Sequence, residues 1–176
     1  MKKINLLVCT LAIAGLGFTS CSDDDNESNN NVSIEGTYHL DEVNTAEATD
    51  FDKDGDFNID QTEESNCYEG GKITLNDDNS FTYVIKGILV SDGVAGCSDT
   101  FTATGVYTVK AASNPENALI TLTYTNQSDE VITRVFTKIG KELIWDDNTI
   151  LSSYPDRDTN GVPIMTMGSV QYVYEK

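Results

Sequence analysis

The sequence predicts an all-β chain folded as an eight-stranded antiparallel up-and-down barrel, with a two-sheet β-sandwich as the alternative. Three observations carry this. Apolar and polar residues alternate with a period of two over many short runs, as half-buried strands require. Thr, Val, Ile and Tyr dominate those runs, and their branched or aromatic side chains suit a pleated surface. Short Gly-, Asn- and Asp-rich turns join consecutive runs, and eight strands in that order close naturally into a barrel that leaves no exposed edge.

The first strand is expected over 34–43, around Gly36-Thr37-Tyr38, with 42–49 only weakly helical in pattern. A second follows over 72–75, and Asn76-Asp77-Asp78-Asn79 supplies turn chemistry before a third, in which Phe81, Tyr83 and Ile85 alternate with Thr82, Val84 and Lys86. The fourth covers 101–109, and Asn114-Pro115-Glu116-Asn117 turns the chain into the fifth, over 119–125. There Ile120, Leu122 and Tyr124 share one face, opposite Thr121, Thr123 and Thr125. The sixth and seventh, over 131–137 and 142–145, meet at Gly140-Lys141. The eighth, over 170–174, points Val170, Tyr172 and Tyr174 to one side. Between the last two, 146–168 reads as a long turn-rich segment containing Tyr154-Pro155, Met165 and Met167, either a packed connector or a lid.

Charge narrows the function classes. The chain of 176 residues carries a formal charge of −18. Such a surface repels nucleic acid and anionic headgroups, so no nucleic-acid partner is expected. Residues 1–20 read as an export signal: Lys2 and Lys3 precede an apolar run over 4–18, and the small residues Thr19 and Ser20 lead into Cys21. This junction resembles the lipidation site of a bacterial lipoprotein. The resemblance implies that Cys21 becomes the acylated first residue of the mature chain, palmitate being a representative acyl group, and that the partner is outer-membrane lipid; a plain secreted protein is the alternative. Residues 21–33 form an acidic, polar tether spanning roughly 20 Å as a flexible coil. Ser22-Asp23-Asp24-Asp25 resembles the acidic signal that sends lipoproteins of Bacteroidota-type bacteria to the outer cell surface, although the stretch also serves as a plain spacer.

The barrel domain then occupies 34–176. A lipoprotein signal, a polar tether, Gly36-Thr37-Tyr38 in the first strand, an Asp-rich loop ending before a cysteine, and Thr/Tyr strand patterns such as Leu122-Thr123-Tyr124 together resemble the lipocalin-like lipoproteins of Bacteroidota. That resemblance implies a barrel able to enclose a small apolar ligand. With Cys9 lost in the signal and Cys21 acylated, Cys67 and Cys97 remain, and an exported chain is expected to pair them. A zinc site would need further Cys or His nearby.

The Asp-rich loop, DFDKDGDFNIDQTEE over 50–64, points to calcium, a hard cation that takes six to eight oxygens. In one register Asp52, Asp54 and Asp56, the backbone carbonyl of Asn58, Asp60 and Glu63 occupy positions 1, 3, 5, 7, 9 and 12 of an EF-hand-like loop, with Phe57 at position 6, where glycine is wanted. Starting at Asp50 instead places Gly55 at position 6 but Gln61 at position 12. The first register is preferred, with the turn relaxed around Gly55. A solvated acidic loop without metal is the competing reading. No catalytic role is expected: the single histidine, His39, has no nucleophile that the sequence places beside it. Two functions therefore stand: a calcium-stabilised binding module for a small apolar ligand or a surface partner, and a structural or accessory protein whose barrel is filled by its own aromatics.

Overall fold

The computed structural model describes residues 34–114 and 117–176. The signal segment, Cys21, the tether and the Pro115-Glu116 centre of one turn lie outside the described residues.

Strand β1, Gly36–Thr49, is followed by β2, Asn58–Asp60, a single helical turn α1, Gln61–Glu64, and a 3-10 turn, Asn66–Tyr68. Then come β3, Lys72–Leu75, and β4, Ser80–Ile85, a small hairpin of β5, Ile88–Ser91, with β6, Val94–Cys97, and the long β7, Phe101–Ala111. β8, Asn117–Thr125, β9, Val131–Ile139, and β10, Glu142–Asp147, run on through short turns. A second small hairpin, β11, Ser153–Arg157, with β12, Pro163–Met167, precedes β13, Val170–Glu175.

Eight of these strands form a closed antiparallel ring in the order β1, β3, β4, β7, β8, β9, β10, β13, and β13 returns to β1 through pairs from His39↔Glu175 to Thr45↔Val170. That last ladder decides for the barrel over the sandwich. The eight strands are those expected from the alternation. The differences lie between them. β1 continues through 42–49 as strand, because that stretch pairs with both β13 and β2. The 146–168 segment contains the β11–β12 ribbon, in which Pro155 is tolerated because a two-stranded ribbon leaves one side of each strand unpaired.

Two long strands change partners part-way, which is how a short chain turns the corners of a barrel. In β7 the first half pairs with β4 and the second with β8, changing over at Val106. Gly105 sits at the corner, where an added Cβ would lie 2.2 Å from the Thr123 carbonyl oxygen. In β1 a bulge between Leu40 and Glu42 marks the passage from β3 to β13.

The interior is packed with the chain's own side chains. Tyr38, Ile73, Leu75, Phe81, Tyr83, Ile120, Leu122, Phe136 and Leu143 are all at most 2% exposed. Tyr83 sits in edge-to-face contact with Tyr124, Phe136 and Tyr174. Burial of this kind removes roughly 25 cal/mol of unfavourable hydration per Å² of apolar surface. Polar ends find partners: the Tyr38 hydroxyl donates to the Ile34 carbonyl at 2.8 Å, and the Tyr83 and Tyr174 hydroxyls lie 2.9 Å apart.

The register gives the barrel two unlike ends. At one lie Gly36, where the tether would join, and the tight turns after β3, β7 and β9. At the other lie the acidic loop, both small hairpins and the β8–β9 turn, within 50–71, 86–100, 126–130 and 148–169. Among the described residues no helix is long and apolar enough to cross a membrane.

Candidate functional site

The loop end contains three connected features: the acidic loop, a collar that ties the insertions together, and an aromatic opening.

The acidic loop is shaped by its own carboxylates. Asp52 Oδ1 accepts from the Asp54 backbone N–H at 3.0 Å, and Asp54 Oδ1 from that of Asp56 at 2.8 Å, while Asp50 Oδ1 accepts from Gly55 N–H at 3.4 Å. Lys53 and Gly55 take positive φ, 69° and 96°. The turn therefore relaxes around Gly55, in the pattern of the register that starts at Asp50, and Phe57 stays outside the left-handed region, its side chain exposed. Carboxylate oxygens of Asp50, Asp52 and Glu64 lie within 4.8 Å of one another. Three carboxylate oxygens this close could hold a metal ion.

The structure places the remaining expected ligands elsewhere. Asp60 caps α1, its Oδ1 accepting from Thr62 N–H at 3.0 Å and from Val43 N–H at 2.9 Å. Asn58 donates its amide to Glu64 Oε1 at 2.8 Å, and Glu63, Asp54 and Asp56 are exposed. Glu64 was not among the sequence's ligand candidates. It is buried, and its Oε2 accepts from Phe51 N–H at 2.6 Å and Asp52 N–H at 3.3 Å. The one-turn helix explains this: Gln61 and Glu64, three apart, share its inward face. Gln61 donates Nε2 to Thr49 Oγ1 at 2.7 Å, which leaves its Oε1 buried without a partner. An open cleft of about 570 Å³ flanks this loop, lined by Leu40, Asp52, Glu63, Glu64, Tyr68 and their neighbours. Burial pushes the Tyr68 hydroxyl pKa well up, with Tyr172 and Asp60 adding to the rise.

The collar joins segments that are distant in sequence. Cys67, in the 3-10 turn, is bonded to Cys97 at the end of β6, as the sequence predicts, with Cα atoms 4.9 Å apart. Arg157 on β11 donates Nε to the Phe51 carbonyl at 2.6 Å and Nη1 to the Gly161 carbonyl at 2.9 Å, and its guanidinium lies 5.0 Å from the Phe51 ring centroid. Tyr68 and Tyr154 pack with Val43 and Val170 and cover one side of the barrel end.

The other side is less fully covered. Phe101, Ile132, Trp145 and Tyr172 pack against the core but are only partly buried. Trp145 and Tyr172 stack with centroids 4.8 Å apart and planes 22° apart. Among them stands Arg134, its guanidinium carbon 3.9 Å from the Trp145 centroid and its Nη1 donating to the Tyr83 hydroxyl at 2.9 Å.

Comparison with protein-family models, with curated proteins and with solved structures gives no match. His39 is exposed on the outer face, opposite Lys72 and Glu175, and makes no side-chain hydrogen bond among the described residues. The sequence reading missed Arg134, and the available signal was alternation: Ile132, Arg134, Phe136 and Lys138 share the inward face of β9.

Proposed function

We propose that this chain is a lipid-anchored protein of the outer cell surface, a binding module whose loop end is the working end and is held in shape by calcium. The observation that carries this reading is the opposition of the two ends. The tether would enter at Gly36, so an anchor on Cys21 would leave the acidic loop, the collar and the partly exposed aromatics at the end away from the membrane. Calcium on Asp50, Asp52 and Glu64 would neutralise a self-repelling insertion and fix its position against β1 and the Arg157 contact. Because the interior is occupied by Tyr38, Tyr83, Phe81 and Phe136, we place any small apolar ligand at the opening rather than along the barrel axis.

That filled interior also favours the second reading, a structural or accessory surface protein that meets a macromolecular partner with its loops. Native mass spectrometry of the protein isolated from the membranes of its own cells separates the two. An acylated chain carrying calcium and a small organic molecule supports the first. An acylated chain with no small molecule supports the second, and a chain without acyl groups or metal overturns both the anchor and the calcium.

A further inference from the structure

We propose that the loop-end opening binds a small organic monoanion with an apolar body, its carboxylate paired with Arg134 and its body laid against Trp145, Tyr172 and Phe101. This rests on the reading of the loop end as the working end, and it names the chemistry of the ligand.

The argument starts from charge. The chain has 29 acidic residues against 11 basic ones, yet Arg134 has no carboxylate partner among the described residues. A guanidinium held in a partly dry site loses hydration and normally recovers it through an acid. Here the protein returns only one hydrogen bond, to the Tyr83 hydroxyl, and the ring faces of Trp145, Tyr83 and Tyr124 at 3.9, 5.6 and 6.0 Å.

Arginine presents five N–H donors in a planar fork that matches a carboxylate in two-point contact. One nitrogen is directed at Tyr83. The others are not sealed in the core, since the only described buried side-chain atom without a partner is Gln61 Oε1. They keep some contact with solvent at the loop end.

The surroundings select the rest of the ligand. Trp145 and Tyr172 form a stacked wall, Phe101 leans on Tyr124 with centroids 6.4 Å apart, and Ile132 closes the set. Flat apolar faces around one cation favour an amphiphile with a single negative head over an inorganic anion, which would gain nothing from the rings. The chain's own negative field opposes the approach of any anion, but it is screened over about 8 Å at physiological salt, whereas the pairing acts at contact.

The test uses the full chain, 4-phenylbutanoate, and its uncharged counterpart 4-phenylbutan-1-ol. Trp145 is the single tryptophan, so its emission reports the site directly, and calorimetry gives the affinities. The carboxylate should bind tighter than the alcohol by on the order of tenfold to a hundredfold, the worth of a charge-assisted pair in a partly buried site. Arg134→Gln should abolish that preference while alcohol binding persists, and Arg134→Lys should keep part of it. Equal binding of the two probes to the wild-type chain overturns the anion assignment but leaves the opening as a binding site. A purely structural arginine would lower the melting temperature in Arg134→Gln with the acid-to-alcohol ratio already near one. Binding of neither probe at about 10 mM, with Trp145 emission unmoved, overturns the opening as a small-molecule site altogether. Should Arg134→Gln not fold, the wild-type ratio together with Arg134→Lys decides.

Discussion

Breaking the Cys67–Cys97 bond tests whether the collar is part of the cooperative fold. The two residues are 30 apart in sequence. Closing a loop of that length removes about 12 cal/mol/K of entropy from the denatured chain, which corresponds to about 3.6 kcal/mol at 25 °C. For a domain of this size each kcal/mol moves the melting midpoint by about 3–4 °C, so the Cys67→Ser/Cys97→Ser double variant should melt roughly 11–14 °C below the parent. Circular dichroism melts of the variant, and of the parent with and without reductant, measure this. The reduced parent should coincide with the double variant. A midpoint within about 3 °C of the parent would refute the reasoning, since it would mean that the 3-10 turn and the β5–β6 hairpin open locally before the barrel and that their cross-link constrains nothing the barrel needs. Hydrogen exchange would then show low protection at Ile88–Ser91 and Val94–Cys97 while β8 stays protected.

The remaining predictions concern the corner, the ion, and the buried phenols. Gly105→Ala should destabilise by about 1–3 kcal/mol or more, because the new methyl group meets a backbone oxygen that cannot swing away, whereas Gly96→Ala, with open space around it, should stay within about 0.5 kcal/mol; urea melts of both give the comparison. Millimolar calcium should raise the melting temperature and chelator should reverse the rise, and Asp50→Asn or Glu64→Gln should remove the response; a calcium response unchanged in both variants rules out that site. At alkaline pH burial keeps the Tyr38 and Tyr172 hydroxyls protonated, with pKa values pushed up to about 12; Glu35 adds to the rise at Tyr38, and Tyr83 raises while Arg134 lowers the value at Tyr172. The folded state thus holds protons that the unfolded chain releases near its ordinary value of about 10. Stability is therefore full below about pH 10 and falls as pH rises from 10 through 12, which tyrosinate absorbance alongside denaturant melts would follow; a stability that stays flat over that range contradicts the burial.

The barrel was legible because alternation is a property of each strand by itself. Ile120, Leu122 and Tyr124 declare their common face without reference to any partner, and all three are buried. The loop end was less legible because its order depends on contacts between segments far apart in sequence. Nothing local in Glu42 to Thr49 announces a strand; β13 and β2 impose it. Tyr154 and Pro155 read as turn residues until β12 is set beside them. In the acidic loop the order of carboxylates along the chain pointed to Glu63 at the last ligand position, because the path of the chain is not written in that order. One turn of helix then buried Glu64 and left Glu63 in solvent.

The ring closes through β1 and β13, the first and last strands in chain order, so the most distant ladder is also the one that removes the last two free edges. Closing that ladder carries the largest loop entropy in the ring, so a molecule opened at this seam would be an open curved sheet. Two such sheets from neighbouring molecules could pair edge to edge. The charge of −18 then acquires a second use: it repels like molecules wherever the seam is open and the barrel is not protected by its own shape.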